Sequence, residues 1–242
     1  MRVAFLPLLW MTACGATLRA APPRAMPIPG ALRPLLRADA PDEATARLAP
    51  PTQPPSARDL TRSPTRPTRA PAATALGRQL ADAARRQLTA GTPGFRQDCS
   101  GFVIAALAKV GIEAGGSAAD LYARAEAAGA VHRQPRPAVG DLVFFDNTYD
   151  RNGNGLRDDA LSHIGIVIEV DDDGTVTLAH DGTSRGKTTL RMNLLHPHDD
   201  RAPDGTVWNG ALRAGSTSPR LAGELFAGFA SVREADRAAW TR

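Results

Sequence analysis

A chain of 242 residues with a formal net charge of +4 is long enough for one sizeable domain or two small ones. Thirteen of its 20 prolines fall in residues 15–74, where nine arginines stand against four acidic residues and no aromatic side chain occurs. Residues 75–242 hold 19 basic and 21 acidic side chains, so the basic balance belongs to the proline-rich segment. A basic stretch without interleaved aromatics or a fold of its own argues against a nucleic-acid partner.

In chain order, Met1-Arg2 precedes a short apolar run, Val3 to Met11, broken only by Pro7. The run is too short to span a bilayer. It ends in Thr12-Ala13-Cys14-Gly15, which resembles a bacterial lipobox. The expectation is a signal peptide over residues 1–14, acylation at Cys14, and an exported protein anchored by lipid in the cell envelope, in the periplasm or on the outer membrane. Simple secretion, with cleavage near Ala20 or Ala21, is the alternative. Residues 15–74 read as a disordered tether, because Ala, Pro, Arg and Thr cannot bury enough apolar surface to offset the ordering entropy.

From Ala75 the pattern turns globular. Leu76, Leu80, Ala84 and Leu88 share one face of a helix over 75–88. Gly91-Thr92-Pro93-Gly94 is a loop. Residues 99–110 read as a second helix stopped by Gly111, and 117–128 as a third with Gly129 beyond its end. After a proline-rich loop over 133–140 the period becomes extended. Leu142–Phe145 reads as a strand. Ile164–Val170 and Thr175–His180 read as a hairpin about Asp171-Asp172-Asp173-Gly174. A further strand is expected around Val207–Arg213, and an amphipathic helix over Leu221–Val232. Helices first and strands afterwards predict an α+β fold with helices packed on one antiparallel sheet. The predicted organisation is a catalytic domain over 75–215 and a helical tail over 216–242.

If Cys14 is lipidated or removed, Cys99 is the thiol left in the mature chain, and a lone thiol in an exported protein is a reactive group to account for. Asp98 can cap the second helix, which puts Cys99 in its first turn, where peptide dipoles favour a thiolate. Backbone amides at the same helix start can hold an oxyanion. His163 opens one hairpin strand and His180 closes the other, so both lie at one end of the hairpin. His132, His196 and His198 fall in segments rich in Pro, Arg and Asp and read as solvated loop residues.

Three segments together resemble the NlpC/p60 family of bacterial cell-wall cysteine peptidases. They are Asp98-Cys99-Ser100-Gly101-Phe102, Val139-Gly140-Asp141-Leu142-Val143-Phe144-Phe145 and Ser162-His163-Ile164-Gly165-Ile166-Val167, in the family's order. The resemblance implies a compact papain-like fold and hydrolysis of amide bonds in peptidoglycan stem peptides; a monomer with no cofactor required for catalysis is expected. It implies Cys99 as nucleophile, His163 as base and His180 as the residue that orients it, with Asp98 and Ser100 available to substrate. The tyrosine that the family carries ahead of its nucleophile is missing from Gln87-Leu88-Thr89-Ala90-Gly91. An amidase or acyl-/transpeptidase would use the same triad; a catalytically silent wall-binding module is the non-enzyme alternative.

An insertion separates Phe145 from Ser162. Within it, Asp150, Asn152, Asn154 and Asp158 approximate the first nine positions of a calcium loop, but Leu161 stands where the bidentate Glu belongs. The loop reads either as a calcium site or as a run of Asx turns.

Overall fold

The computed structural model describes residues 69–183, 185–213 and 220–241. Cys14, the expected lipobox and most of the 15–74 segment lie outside the described residues.

Three helices open the domain: α1 (Ala75–Gln87), α2 (Cys99–Lys109) and α3 (Ala118–Ala127). Each starts on a side-chain cap that satisfies an orphan backbone amide. Thr74 accepts from the Gly77 amide, Asp98 from Gly101, and Ser117 forms a reciprocal capping box with Asp120. Six strands follow: β1 (Val131–His132), β2 (Leu142–Phe145), β3 (His163–Val170), β4 (Thr175–Thr183), β5 (Gly186–Asn193) and β6 (Phe226–Ala230). They form one antiparallel sheet in the order β1-β6-β2-β3-β4-β5. A 3-10 turn (Glu234–Asp236) and the short α4 (Arg237–Trp240) close the described chain. The protein is thus α+β, with helices gathered on one face of an antiparallel sheet.

Strand alternation sorts the core into two layers. Leu142, Phe144, Ile164 and Ile166 face α1, α2 and α3, whose Leu80, Phe102, Leu107 and Leu121 are fully buried. Val143, Phe145, Val167, Leu178, Met192 and Phe229 face the other way and are covered by Leu194, Leu212, Ala222 and Leu225. Both faces of β2 are therefore buried, which accounts for its unbroken apolar run. Gly140, at φ +96°, precedes β2; a Cβ there would collide with the Gly77 backbone, so glycine lets α1 cross this turn.

Two expectations are corrected. Leu221–Val232 is not a helix. Leu225 donates to Leu221 in one helical turn, and Phe226–Ala230 then extends as β6 between β1 and β2. The helical spacing of Leu221, Leu225 and Phe229 came from that turn followed by a strand. Residues 207–213 form no strand either, only isolated bridges between Arg201 and Val207 and between Ala211 and Leu221. The buried Asn209 side chain ties this segment to loops, accepting from Asn193 and Gly223 and donating to the His196 and Asp199 carbonyls. Strand β5 was not foreseen.

Candidate active site

Cys99 is the first residue of α2, and among the described residues it is the free cysteine. Asp98 Oδ1 accepts from the Gly101 amide at 2.7 Å, which fixes the helix start and with it the thiol. The Cys99 side chain is buried against the helix-facing core. The backbone of Ile164, the residue after His163, is near enough to the sulfur to favour its charged form. The Ser100 hydroxyl lies 4.0 Å from it. Ser100 is buried, so its polar contact is with the nucleophile; the Asp98 carboxylate is partly exposed beside Arg96.

His163 and His180 meet as the hairpin register requires. His163 Nε2 and His180 Nδ1 lie 2.8 Å apart, and the rings stand edge to face. His163 is paired across the sheet with Phe145. Immediately after His180 the β4–β5 register shifts between His180 and Thr183. Such a bulge re-aims the chain. It carries Gly182, at φ +86°, over the start of α2, where a Cβ would sit 2.9 Å from the Cys99 nitrogen.

Burial sets the charge state of these groups. It pushes the Cys99 thiol up, with Asp98 adding to the rise, against hydrogen bonds from Ile164 and Ser100 that pull it down. Desolvation, helped by His180, lowers His163 to about 3. Desolvation lowers His180 to about 4, with the Arg185 charge in the same direction and Asp181 opposing. At neutral pH the resting site therefore holds a thiol and two neutral imidazoles. Burial thus opposes the thiolate that the helix start favours.

A cavity of about 340 Å³ opens beside the histidine pair. Thr148, Tyr149, Arg157, His163, His180, Gly182, Arg185 and Arg213 contribute to its wall. Sequence reasoning missed Tyr149, which comes from the insertion. It is half exposed, and its phenol is raised mainly by desolvation and next by a Cys99 thiolate at high pH. The signal was one of only two tyrosines in the chain, set in an otherwise polar loop. Thr148 anchors it: its amide and hydroxyl bond the Ser162 hydroxyl at 2.9 and 2.8 Å, next to His163.

The rest of the insertion is a set of Asx turns. Asp150 accepts from the Gly153, Asn154 and Gly155 amides, Asn152 from Asn154, and Asn154 from Leu156. Asp158 accepts from the Asn154 side chain, and the buried Asp159 from the Arg151 and Asn152 amides. Among the described residues no group of three or more His, Cys, Asp and Glu is placed to hold a metal ion. The other histidines are more engaged than expected. His132 lies in β1, half-buried, with Nε2 3.1 Å from Asp141 and its ring stacked on Phe229. His196 stacks on Trp208 at 3.8 Å, and His198 is exposed.

The segment from the loop after α1 to the bulge after His180 is also what a family model recognises. Residues 89–182 match the CHAP domain. CHAP domains sit in the NlpC/p60-like superfamily of cysteine peptidases and amidases and are typically hydrolases of peptidoglycan. The CHAP match spans Cys99, His163 and His180 and stops before β5 and β6. No curated protein and no solved structure matches the chain.

Proposed function

We propose that this protein hydrolyses an amide bond in peptidoglycan stem peptides with Cys99 as nucleophile, His163 as base and His180 as its orienting partner. The observation that carries the reading is the 2.8 Å contact between the histidines, in which His163 stands one residue before Ile164, whose backbone favours the charged form of the Cys99 sulfur. His163 Nε2–H donates a hydrogen bond to His180 Nδ1, which leaves Nδ1 of His163 to take the thiol proton as the sulfur attacks the carbonyl. Amides at the start of α2 stabilise the oxyanion. His163 returns its proton to the leaving amine, and water then resolves the thioester. Neutral resting partners suit this sequence, since the ion pair forms only as the bond is made.

Mass spectrometry of muropeptides digested by the wild type and by Cys99→Ala tests the reading. New termini that appear with the wild type alone support it, and their position separates a peptidase from an amidase. Ligation products in place of hydrolysis products indicate an acyl-/transpeptidase. Equal digestion by Cys99→Ala overturns the mechanism.

The envelope location rests on the lipobox. Cys14→Ser is expected to move the protein from the membrane fraction to the soluble one without changing its catalytic constants. Calcium in the insertion is a proposal with its own test. A melting temperature that rises with calcium in chelator-treated protein, and no longer does so in Asp150→Ala, supports it by mass action on the native state. No shift at millimolar calcium leaves the Asx turns alone.

A further inference from the structure

The wall of the cavity beside His163 and His180 carries one sign of charge. Arg157 comes from the insertion, Arg185 from the turn between β4 and β5, and Arg213 from the segment that covers the second face of the sheet. No Asp or Glu contributes to the wall among the described residues. This is not the general character of the domain, since residues 75–242 hold more acidic than basic side chains. Three separate segments thus deliver guanidinium groups to one cavity.

The surroundings are chemically specific. Arg213 Nη1 donates to the Asn147 carbonyl at 3.1 Å, which holds the side chain in place. Its Nε is buried without a hydrogen-bond partner among the described residues. Leu190, Ala211 and Leu212 supply an apolar wall, and Thr148, Tyr149, Thr188 and Thr189 supply hydroxyls. An aliphatic group ending in a carboxylate satisfies both halves. Its methylenes lie on the leucines and its oxygens accept from arginine, whose planar fork matches a carboxylate.

We infer that this cavity is a carboxylate subsite, which takes a free carboxylate of the stem peptide beside the amide presented to Cys99. The inference rests on the proposed hydrolysis of stem peptides. It adds that Arg157, Arg185 and Arg213 select substrates whose carboxylates are free over those in which they are carboxamides.

Isothermal titration of the full chain carrying Cys99→Ala tests it without turnover. The probes are one disaccharide tetrapeptide with free carboxylates and the same fragment with them converted to carboxamides. The free form is expected to bind about tenfold or more tightly, the difference made by a charge-assisted hydrogen bond. The preference should shrink at high salt. It should also shrink when Arg185→Gln or Arg157→Gln is added; both side chains are exposed, and an unchanged melting temperature shows that the fold survives. Equal binding of the two fragments, binding of neither, or a preference untouched by both arginine variants overturns the inference. Cleavage by the wild type is read separately. A binding preference without cleavage leaves the subsite standing and removes the hydrolase reading; cleavage with no preference does the reverse.

Discussion

The thiol at Cys99 is held up by burial, and the imidazoles of His163 and His180 are held down to about 3 and about 4, mainly by the same cause. Alkylation of Cys99 by iodoacetamide is therefore expected to be slow at neutral pH and to climb above the ordinary thiol value of 9.0. A rate already at its plateau at pH 7 would reveal a preformed thiolate–imidazolium pair. For stability the sign is that of depressed groups. The neutral histidine pair supports the fold fully above the ordinary value of 6.5, and this contribution is lost as pH falls toward about 3. The melting temperature should drop through that window, and His163→Gln should flatten the drop; a pH-independent melting temperature in the wild type contradicts the burial argument. Cys99→Ala should lower turnover by about 10⁴-fold or more. His163→Ala should lower it by about 10²- to 10⁴-fold, the range of a general base. His180→Ala should lose less and change the pH profile, because it sets the tautomer of His163 and transfers no proton.

At the level of elements, the hairpin brings His163 and His180 to one end, and the bulge after His180 returns the chain over α2. Gly182 is the hinge of that return. In Gly182→Ala a Cβ 2.9 Å from the Cys99 nitrogen adds to the strain of φ +86°. The variant should lose about 1–3 kcal/mol of stability in denaturant unfolding and about tenfold in kcat/KM. Unchanged kinetics would mean that the bulge does not position the nucleophile. The β3–β4 hairpin was legible because Asp171-Asp172-Asp173-Gly174 separates two β-branched runs, and the three helices because caps and period agreed. Strand β5 was hidden by Lys187, Thr188 and Thr189, whose polarity masks the alternation that ends in Leu190 and Met192. Strand β6 was hidden because Leu221, Leu225 and Phe229 fit a helical face, while the neighbours that decide the matter, β1 and β2, lie far away in sequence. In the candidate site, Cys99, His163 and His180 stood out as chemistry-bearing residues in recognisable surroundings. Tyr149 and the arginines did not, since an insertion, a turn and a covering segment meet only in the folded chain.

Across the whole molecule, the segment that matches CHAP is smaller than the unit that folds. Residues 89–182 omit α1, which packs Leu76, Leu80 and Ala84 into the helix-side core, and β5, which pairs with β4 from Thr175 to Thr183. They also omit β6, which sits between β1 and β2 and places Phe229 in the second layer. Cutting the chain at residue 215 removes β6 together with the fully buried Trp240. It leaves one edge of β2 unpaired and apolar on both faces, a template for aggregation. Loss of one large core aromatic alone costs about 3–5 kcal/mol, a sizeable share of the about 5–15 kcal/mol that holds a domain folded. A chain ending at 215 is therefore expected to be insoluble or molten, with no cooperative thermal transition. A chain from 69 to 242 should melt cooperatively and cleave soluble muropeptides at the full-length rate if the proline-rich residues before it act only as a tether. Calorimetry on the two truncations side by side decides the matter: a cooperative transition in the chain cut at 215 would show that β6 is dispensable, and its loss from the 69–242 chain would show that the proline-rich segment contributes to the fold.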